Sequence, residues 1–440
     1  MPPPITIIPL GTSSAVPSST RNQSSLAILL PSSSTLLFDV GEGTQHQLQR
    51  FRSTTPHVKL GKVEKIFITH LHGDHVFGLC PLLATLMNGA GGAENDPRVL
   101  GAAAADPSLE DSKPRIELYG PQGLRDYIRS NLTLTYTHLD GIYVVHELHL
   151  PGAVPSDPAA TLYPKELPTG RNIHPDAAGI WRDVCVWPHA TQGYAEFTLS
   201  AAPIAHTVPC VGYVLVESAL PGKIPGDYVK RIAAHKAALV KSSGYMNPME
   251  WLRLLQSPMC PADTVLELPD GSRLVRPPLR PGRKITVLGD TSDPGAIIPL
   301  AVGSDVLIHE ATNAWLPGVD PLTKGSEDYA TVEERSKSRG HSTPEMAGRF
   351  AKTIGLGERQ EAEEQREGLL ILNHFSSRYK DDLADGPGGQ AEKVMHSIRM
   401  CAERAWVNEC VGSGLNGGDI IMEGRRVVCA RDGVPIGVKA

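Results

Sequence analysis

His70-Leu71-His72-Gly73-Asp74-His75, within ITHLHGDHVFGL (Ile68–Leu79), is the stretch on which the reading of this chain turns. It places three imidazoles and a carboxylate within six residues, directly after the apolar run Val63–Thr69, which reads as a strand. Imidazole nitrogen and carboxylate oxygen are donors that zinc accepts. Asp74 and His75 are adjacent and must point differently from His70 and His72, so the run implies two metal positions rather than one. A solvated histidine-rich loop is the competing reading; alternation of ligand types beside an apolar strand weighs against it. Val76–Met87 follows with helical character, giving the order strand, polar loop, helix.

Working outward, the same geometry recurs wherever an apolar strand stops at a polar residue. His206 follows Phe197–Ile204, Asp290 follows Ile285–Leu288, Glu310 follows Val306–Ile308, and His374 follows Leu369–Leu372. A lone histidine or aspartate in such a place is more often a hydrogen-bonded or turn residue. Together with the six-residue cluster, these positions read as side chains converging on one sheet edge. Ile5–Leu10, Leu26–Leu30 and Thr35–Val40 add short strands bounded by Gly, Pro and Ser turns, so the core is sheet-based.

Composition narrows the class. With 41% hydrophobic and 20% charged residues and a net charge of −6, the chain reads as a globular protein without an overall basic coat. Local charge differs: 217–284 holds eleven Lys/Arg against six Asp/Glu and is the candidate RNA-facing surface. No apolar run is long enough to span a bilayer, and the N-terminal residues lack the features of a signal or transit peptide. The expected location is cytosolic or nuclear, with no membrane partner. Seven scattered cysteines without CxxC spacing read as reduced thiols, leaving metal binding to His and carboxylates. Ala/Gly-rich 88–114 and Pro/Ala-rich 150–192 read as surface insertions, and Glu358–Glu367 as a solvated charged stretch.

The motif series resembles a known family. HxHxDH at His70–His75 is that of the metallo-β-lactamase superfamily. LGTSSAVPS (Leu10–Ser18), FDVGEGTQ (Phe38–Gln45), LGDT (Leu288–Thr291), HEAT (His309–Thr312), GHSTPEMA (Gly340–Ala347) and HFSSRY (His374–Tyr379) are similar, in order, to its tRNase Z branch, short form. The resemblance implies an α/β fold, a four-layer αββα sandwich formed by residues 1–440 as one pseudo-symmetric domain, with an exosite arm within 217–284. It implies two zinc ions per subunit, with Mn2+ as a possible substitute. His70, His72 and His206 would bind one ion, Asp74, His75 and His374 the other, with Asp290 bridging and Asp39 orienting ligands. It further implies removal of the 3′ trailer from precursor tRNA, leaving a tRNA 3′-hydroxyl and a trailer 5′-phosphate, by a homodimer whose arm contacts tRNA bound by the partner subunit.

Within those motifs, Asp74 is expected to orient the attacking water, and His341 with Glu310 to form a proton-donating pair for the leaving 3′-oxygen. Arg21 and Asn22, in the loop where relatives discriminate a mature CCA end, and Arg378 are expected substrate contacts. The family's Pro-Pro-Gly-Pro run is missing from the arm, where Gly244–Pro258 stands instead; Trp251, Leu252, Leu254 and Leu255 read as packing residues. The rival readings are another ester hydrolase of this fold and a non-catalytic RNA-binding protein. Substrate comparison and metal analysis separate them.

Overall fold

Strands β1 (Ile5–Gly11), β2 (Ser25–Leu29), β3 (Thr35–Val40), β4 (Val63–Phe67), β5 (Ile116–Pro121), β6 (Tyr143–Leu148) and β7 (Asn172–Ile173) form one sheet. The second contains β8 (Trp181–Trp187), β9 (Phe197–Ile204), β10 (Cys210–Glu217), β11 (Lys284–Val287), β12 (Val306–Glu310), β13 (Gly368–Asn373) and β14 (Arg425–Cys429). A last strand, β15 (Ile436–Val438), returns to pair antiparallel with β1. This computed structural model describes residues 4–438 except 55, 89, 92–111, 154–156, 158–161, 188–194, 244–246, 248, 258–259, 262, 359–366 and 408–424. Most of the expected 88–114 insertion and of Glu358–Glu367 therefore lies outside the described residues.

Sheet order is β7-β6-β5-β4-β3-β2-β1-β15 in the first and β8-β9-β10-β11-β12-β13-β14 in the second. In each, antiparallel pairings give way to a parallel run, β3 to β7 in one and β11 to β14 in the other. Side-chain alternation assigns the layers. Leu36 and Phe38 pack inward with Phe67, Tyr213 and Ile308, while Leu37 joins Ile66, Leu82 and Ile128 beneath helices Leu79–Leu86 and Leu124–Leu134. Leu369 and Ile371 likewise face inward, and Leu370 and Leu372 pack with Phe350, Ile398 and Trp406 of helices Pro344–Thr353 and Gln390–Val407. The result is the expected αββα sandwich.

Residues 150–192 depart from the expected surface insertion. Of those described, Asn172–Ile173 adds β7 to the edge of one sheet and Trp181–Trp187 adds β8 to the edge of the other. Trp181 is fully buried in the inter-sheet core, and its indole N–H donates to Ile173 O at 3.1 Å. The strand was hard to read because its register shifts between Trp181 and Cys185, with Asp183 at φ 49°, so its apolar residues fall out of strict alternation.

Between β10 and β11 the chain forms a unit with its own small core, Tyr228, Ile232, Leu239, Leu255, Leu268 and Leu274. Trp251 and Leu252 pack against it as expected, whereas Leu254 is exposed. At its base Glu217 accepts from Arg283 Nε and Nη2, both at 2.7 Å, in a buried ion pair. Trp181→Ala should lower unfolding free energy by about 3–5 kcal/mol, as for other large aromatic truncations in a core. Equilibrium chemical denaturation measures this, and a change below about 1 kcal/mol would show that β8 is peripheral.

Candidate metal centre

Ligand candidates lie at the carboxyl ends of strands that run the same way. Asp39 is in β3, His70 to His75 follow β4, Asp290 follows β11, Glu310 ends β12 and His374 follows β13. His206 follows β9, which runs with β11 because both are antiparallel to β10. The sheets are joined here by the Tyr213 hydroxyl, which donates to Ile68 O at 2.7 Å, and by Val211 N–H, which donates to Thr69 O at 2.9 Å. Gly289 permits the approach: a Cβ there would meet the Thr69 side chain at 2.6 Å.

Two donor clusters result. His70 Nε2 and His206 Nε2 each stand 3.1 Å from His72 Nδ1, with Asp290 Oδ2 3.8 and 4.0 Å from the two Nε2 atoms. In the second, His75 Nε2 and His374 Nε2 are 3.3 Å apart, Asp74 Oδ2 lies 3.6 and 3.3 Å from them, and Asp290 Oδ1 lies 3.4 and 3.3 Å from them. Four donors placed tetrahedrally about 2.0–2.1 Å from zinc are separated by about 3.3 Å. The second cluster fits that spacing closely, and Asp290 contributes a different oxygen to each.

The imidazoles are also oriented for metal. His75 Nδ1–H donates to Asp39 Oδ2 at 2.7 Å, and His206 Nδ1–H to Gly340 O at 2.8 Å. His70 Nδ1 reaches Thr69 Oγ1 at 3.0 Å, and that hydroxyl donates to Asp39 Oδ2 at 2.8 Å. His374 Nδ1 lies 3.1 Å from Thr312 Oγ1, whose hydroxyl donates to Glu310 Oε2. Each arrangement puts the proton on Nδ1 and leaves the Nε2 lone pair facing the cluster. Asp39 thus stands behind His75 directly and behind His70 through Thr69. Within β3 its backbone is left-handed, φ 57°, as is that of His374 at 55° and Ala15 at 59°; these three strained residues gather at the centre.

Charge follows burial and neighbours. Burial pushes His70, His72 and His206 toward the neutral form a metal requires. Burial opposes ionisation of Asp74 and Asp290, yet the surrounding imidazoles hold both carboxyls below their usual range. His75 is also desolvated, but Asp290 and Asp39 raise it, so metal binding must displace a proton from it. Beneath the ligands a cavity of about 20 Å³, bordered by Asp39, His75, Asp290, Asn373 and His374, has room for about one water.

His341 Nδ1 is 3.2 Å from Glu310 Oε1, and its ring stacks 5.6 Å from that of His374. Burial works against its charge, but Glu310, followed by Asp290 and Asp74, raises its pKa to about 9. Glu310, His341 and His374 form a third close grouping. Both Glu310 oxygens already accept hydrogen bonds, from Thr291 N–H at 2.6 Å and from Thr312, which makes it a partner for His341 rather than an ion ligand.

The expected substrate contacts fare differently. Arg21 is buried, and its guanidinium donates to Tyr379 O at 3.0 Å, Thr12 Oγ1 at 2.7 Å and Ala430 O at 2.9 Å while lying over the Phe375 ring. It braces two loops and cannot reach a substrate without breaking these bonds. Asn22 donates from Nδ2 to Glu42 O at 2.7 Å, and Arg378 directs Nη2 at the Tyr379 hydroxyl and Asp320. Sequence reasoning assigned no role to Thr69 or Thr312, although both stand inside quoted motifs one or two residues from a singled-out position. It could not have found Ala15, whose backbone N–H donates to Asp74 Oδ2 at 2.7 Å, because every such residue carries an amide.

Comparison with known proteins places this geometry among relatives. Zinc phosphodiesterase ELAC protein 1 of Bos taurus is 33% identical over 88% of this chain and 90% of its own length. Ribonuclease Z of Streptococcus sanguinis is 30% identical over 84% of this chain and 89% of its own. The crystal structure of human tRNase Z, short form (ELAC1), covers 85% of this chain and 93% of that one, with 29% identity and a TM-score of 0.49. A family profile described as Anti-Pycsar protein Apyc1 matches residues 5–91.

Asp39→Ala should weaken zinc binding by about 10–100-fold, because His75 and the Thr69–His70 relay lose their common acceptor. Competition with a chromogenic chelator measures it; unchanged affinity would make Asp39 a turn residue only.

Proposed function

This chain belongs to the ribonuclease Z and ELAC family of zinc phosphodiesterases, and from that premise we propose that it cleaves the 3′ trailer from precursor tRNA, leaving a tRNA 3′-hydroxyl and a trailer 5′-phosphate. The observation that carries the reading is the pair of donor clusters sharing Asp290, one carboxylate oxygen in each. Two zinc ions held there, by His70, His72, His206 and Asp290 and by Asp74, His75, His374 and Asp290, would polarise the phosphodiester and lower the pKa of the attacking water. Mn2+ is a possible substitute for zinc.

The protein's own groups complete the chemistry. Asp74, its Oδ2 held by the Ala15 amide and close to His374, orients the attacking water for in-line displacement at phosphorus. A ribose 3′-oxygen is a poor leaving group, and His341, kept protonated beside Glu310, donates the proton it needs. The separately cored unit between β10 and β11 serves as the arm that grips tRNA, and two copies of the chain pair so that each arm reaches RNA held by the other. The described cysteines are all free, which suits the cytosol or nucleus, and none of the described helices is long and apolar enough to cross a membrane. Light scattering at working concentration should give twice the chain mass; a monomer with full activity would overturn the paired arrangement.

The decisive experiment is cleavage of an unmodified 3′-extended tRNA by zinc-replete protein, with both new ends mapped. No cleavage, together with hydrolysis of a thioester or aryl sulfate, would transfer the protein to a different reaction class. His341→Ala should keep zinc and RNA affinity while losing at least about 10² in single-turnover rate, and Glu310→Gln should lose less. Zinc loss in His341→Ala, or near-normal cleavage with chemistry rate-limiting, would make His341 a scaffold residue.

A further inference from the structure

Phe77 is 60% exposed, while its neighbours Val76 and Leu79 are buried. Among the described residues it is the only exposed Phe, Tyr or Trp; the others are buried or half-buried. The ring rests against the metal-binding turn: a Cβ on Gly73 would come within 2.2 Å of it, so glycine at this position is what lets the ring lie there. Phe77 N–H donates to Gly73 O at 2.8 Å, which fixes the ring's attachment to the one-turn helix carrying Asp74 and His75. On a second segment that meets Asp74, Val16 is 56% exposed and follows Ala15, whose amide holds Asp74 Oδ2. Single apolar side chains on a surface are ordinary. Here Phe77 lies three residues after Asp74 with its ring against Gly73, in the turn that carries the metal-site residues, and Val16 lies next to the residue whose amide holds Asp74.

An RNA phosphodiester enters with a nucleoside on each side, and every base offers a face that stacks on an aromatic ring whatever its sequence. We propose that Phe77 is the stacking platform for a nucleobase adjacent to the scissile phosphate. The proposal rests on the phosphodiesterase reading above and adds a substrate-binding residue to it. Such stacking holds one flanking nucleotide, and so positions phosphorus over the clusters, without reading the base's hydrogen-bonding edge. It is a contact that tolerates different end sequences.

The test uses full-length, zinc-replete protein and a 3′-extended tRNA, after wild-type cleavage has been established, so failure of the broader reading is seen first. Phe77→Ala should lower single-turnover kcat/KM by about tenfold or more, Phe77→Trp should stay within about threefold of wild type, and Phe77→Leu should behave as Phe77→Ala. Substrates carrying an abasic nucleotide on one or the other side of the cleaved bond then supply the control. At one of the two positions, wild type and Phe77→Ala should converge, because the ring has no base to stack on. The proposal is overturned if Phe77→Ala matches wild type on intact RNA, if Phe77→Leu restores full activity, or if the loss persists at both abasic positions. Loss of bound zinc in Phe77→Ala also overturns it, since the ring would then be bracing the metal turn.

Discussion

The carboxylate of Asp290 is the constraint on which the rest of the molecule depends. It is buried where the two sheets meet, with one oxygen among His70, His72 and His206 and the other among Asp74, His75 and His374. A buried carboxylate without compensating partners would cost several kcal/mol. Here the compensation comes from both halves of the chain at once. The sheets must therefore present the carboxyl ends of their parallel strands at a common edge, and the cross-sheet hydrogen bonds of Tyr213 and Val211 hold them there. An open α/β sheet binds ligands at such strand ends in general; two sheets back to back bring two sets into one site.

Around that carboxylate the protein builds a second layer that decides tautomers rather than charge. Asp39 in one sheet and Glu310 in the other do equivalent jobs: each is a buried carboxylate at a strand end that orients a histidine through a threonine hydroxyl. Asp39 also accepts directly from His75, whereas Glu310 also faces His341. Asp39 thus stands behind two histidines of the clusters, whereas Glu310 stands behind one and faces another outside them. Because burial keeps three of the imidazoles neutral, the site is prepared for cations before any bind, and part of the electrostatic cost of forming it is recovered only on metal binding.

Arg21 shows how a residue's neighbourhood can overturn the role its motif implies. A guanidinium is readily read as a phosphate contact, yet this one is enclosed by the carbonyls of Tyr379 and Ala430 and the face of Phe375. It links the loop that carries Ala15 to the segment after His374, and so braces the two segments whose Ala15 amide and His374 ring meet Asp74 Oδ2. Phe77 is the reverse case. It stands in an apolar run to which no site role was assigned, and the structure leaves it exposed against the metal-binding turn.

Sequence by itself determined what depends on local chemistry: the ligand types in His70–His75, the strand-end positions of His206, Asp290, Glu310 and His374, and the apolar runs that become β3 and β13. These are legible because a strand's period and a side chain's donor atoms are properties of a few consecutive residues. Only the tertiary structure decided that 172–187 crosses between sheets, where a bulge at Asp183 disrupts the alternation. It alone decided that Arg21 is enclosed and that a backbone amide holds Asp74. Those outcomes rest on contacts between segments distant in the chain, Arg21 with Ala430 or Ala15 with Asp74. Packing sets such contacts, and no short window of sequence encodes them.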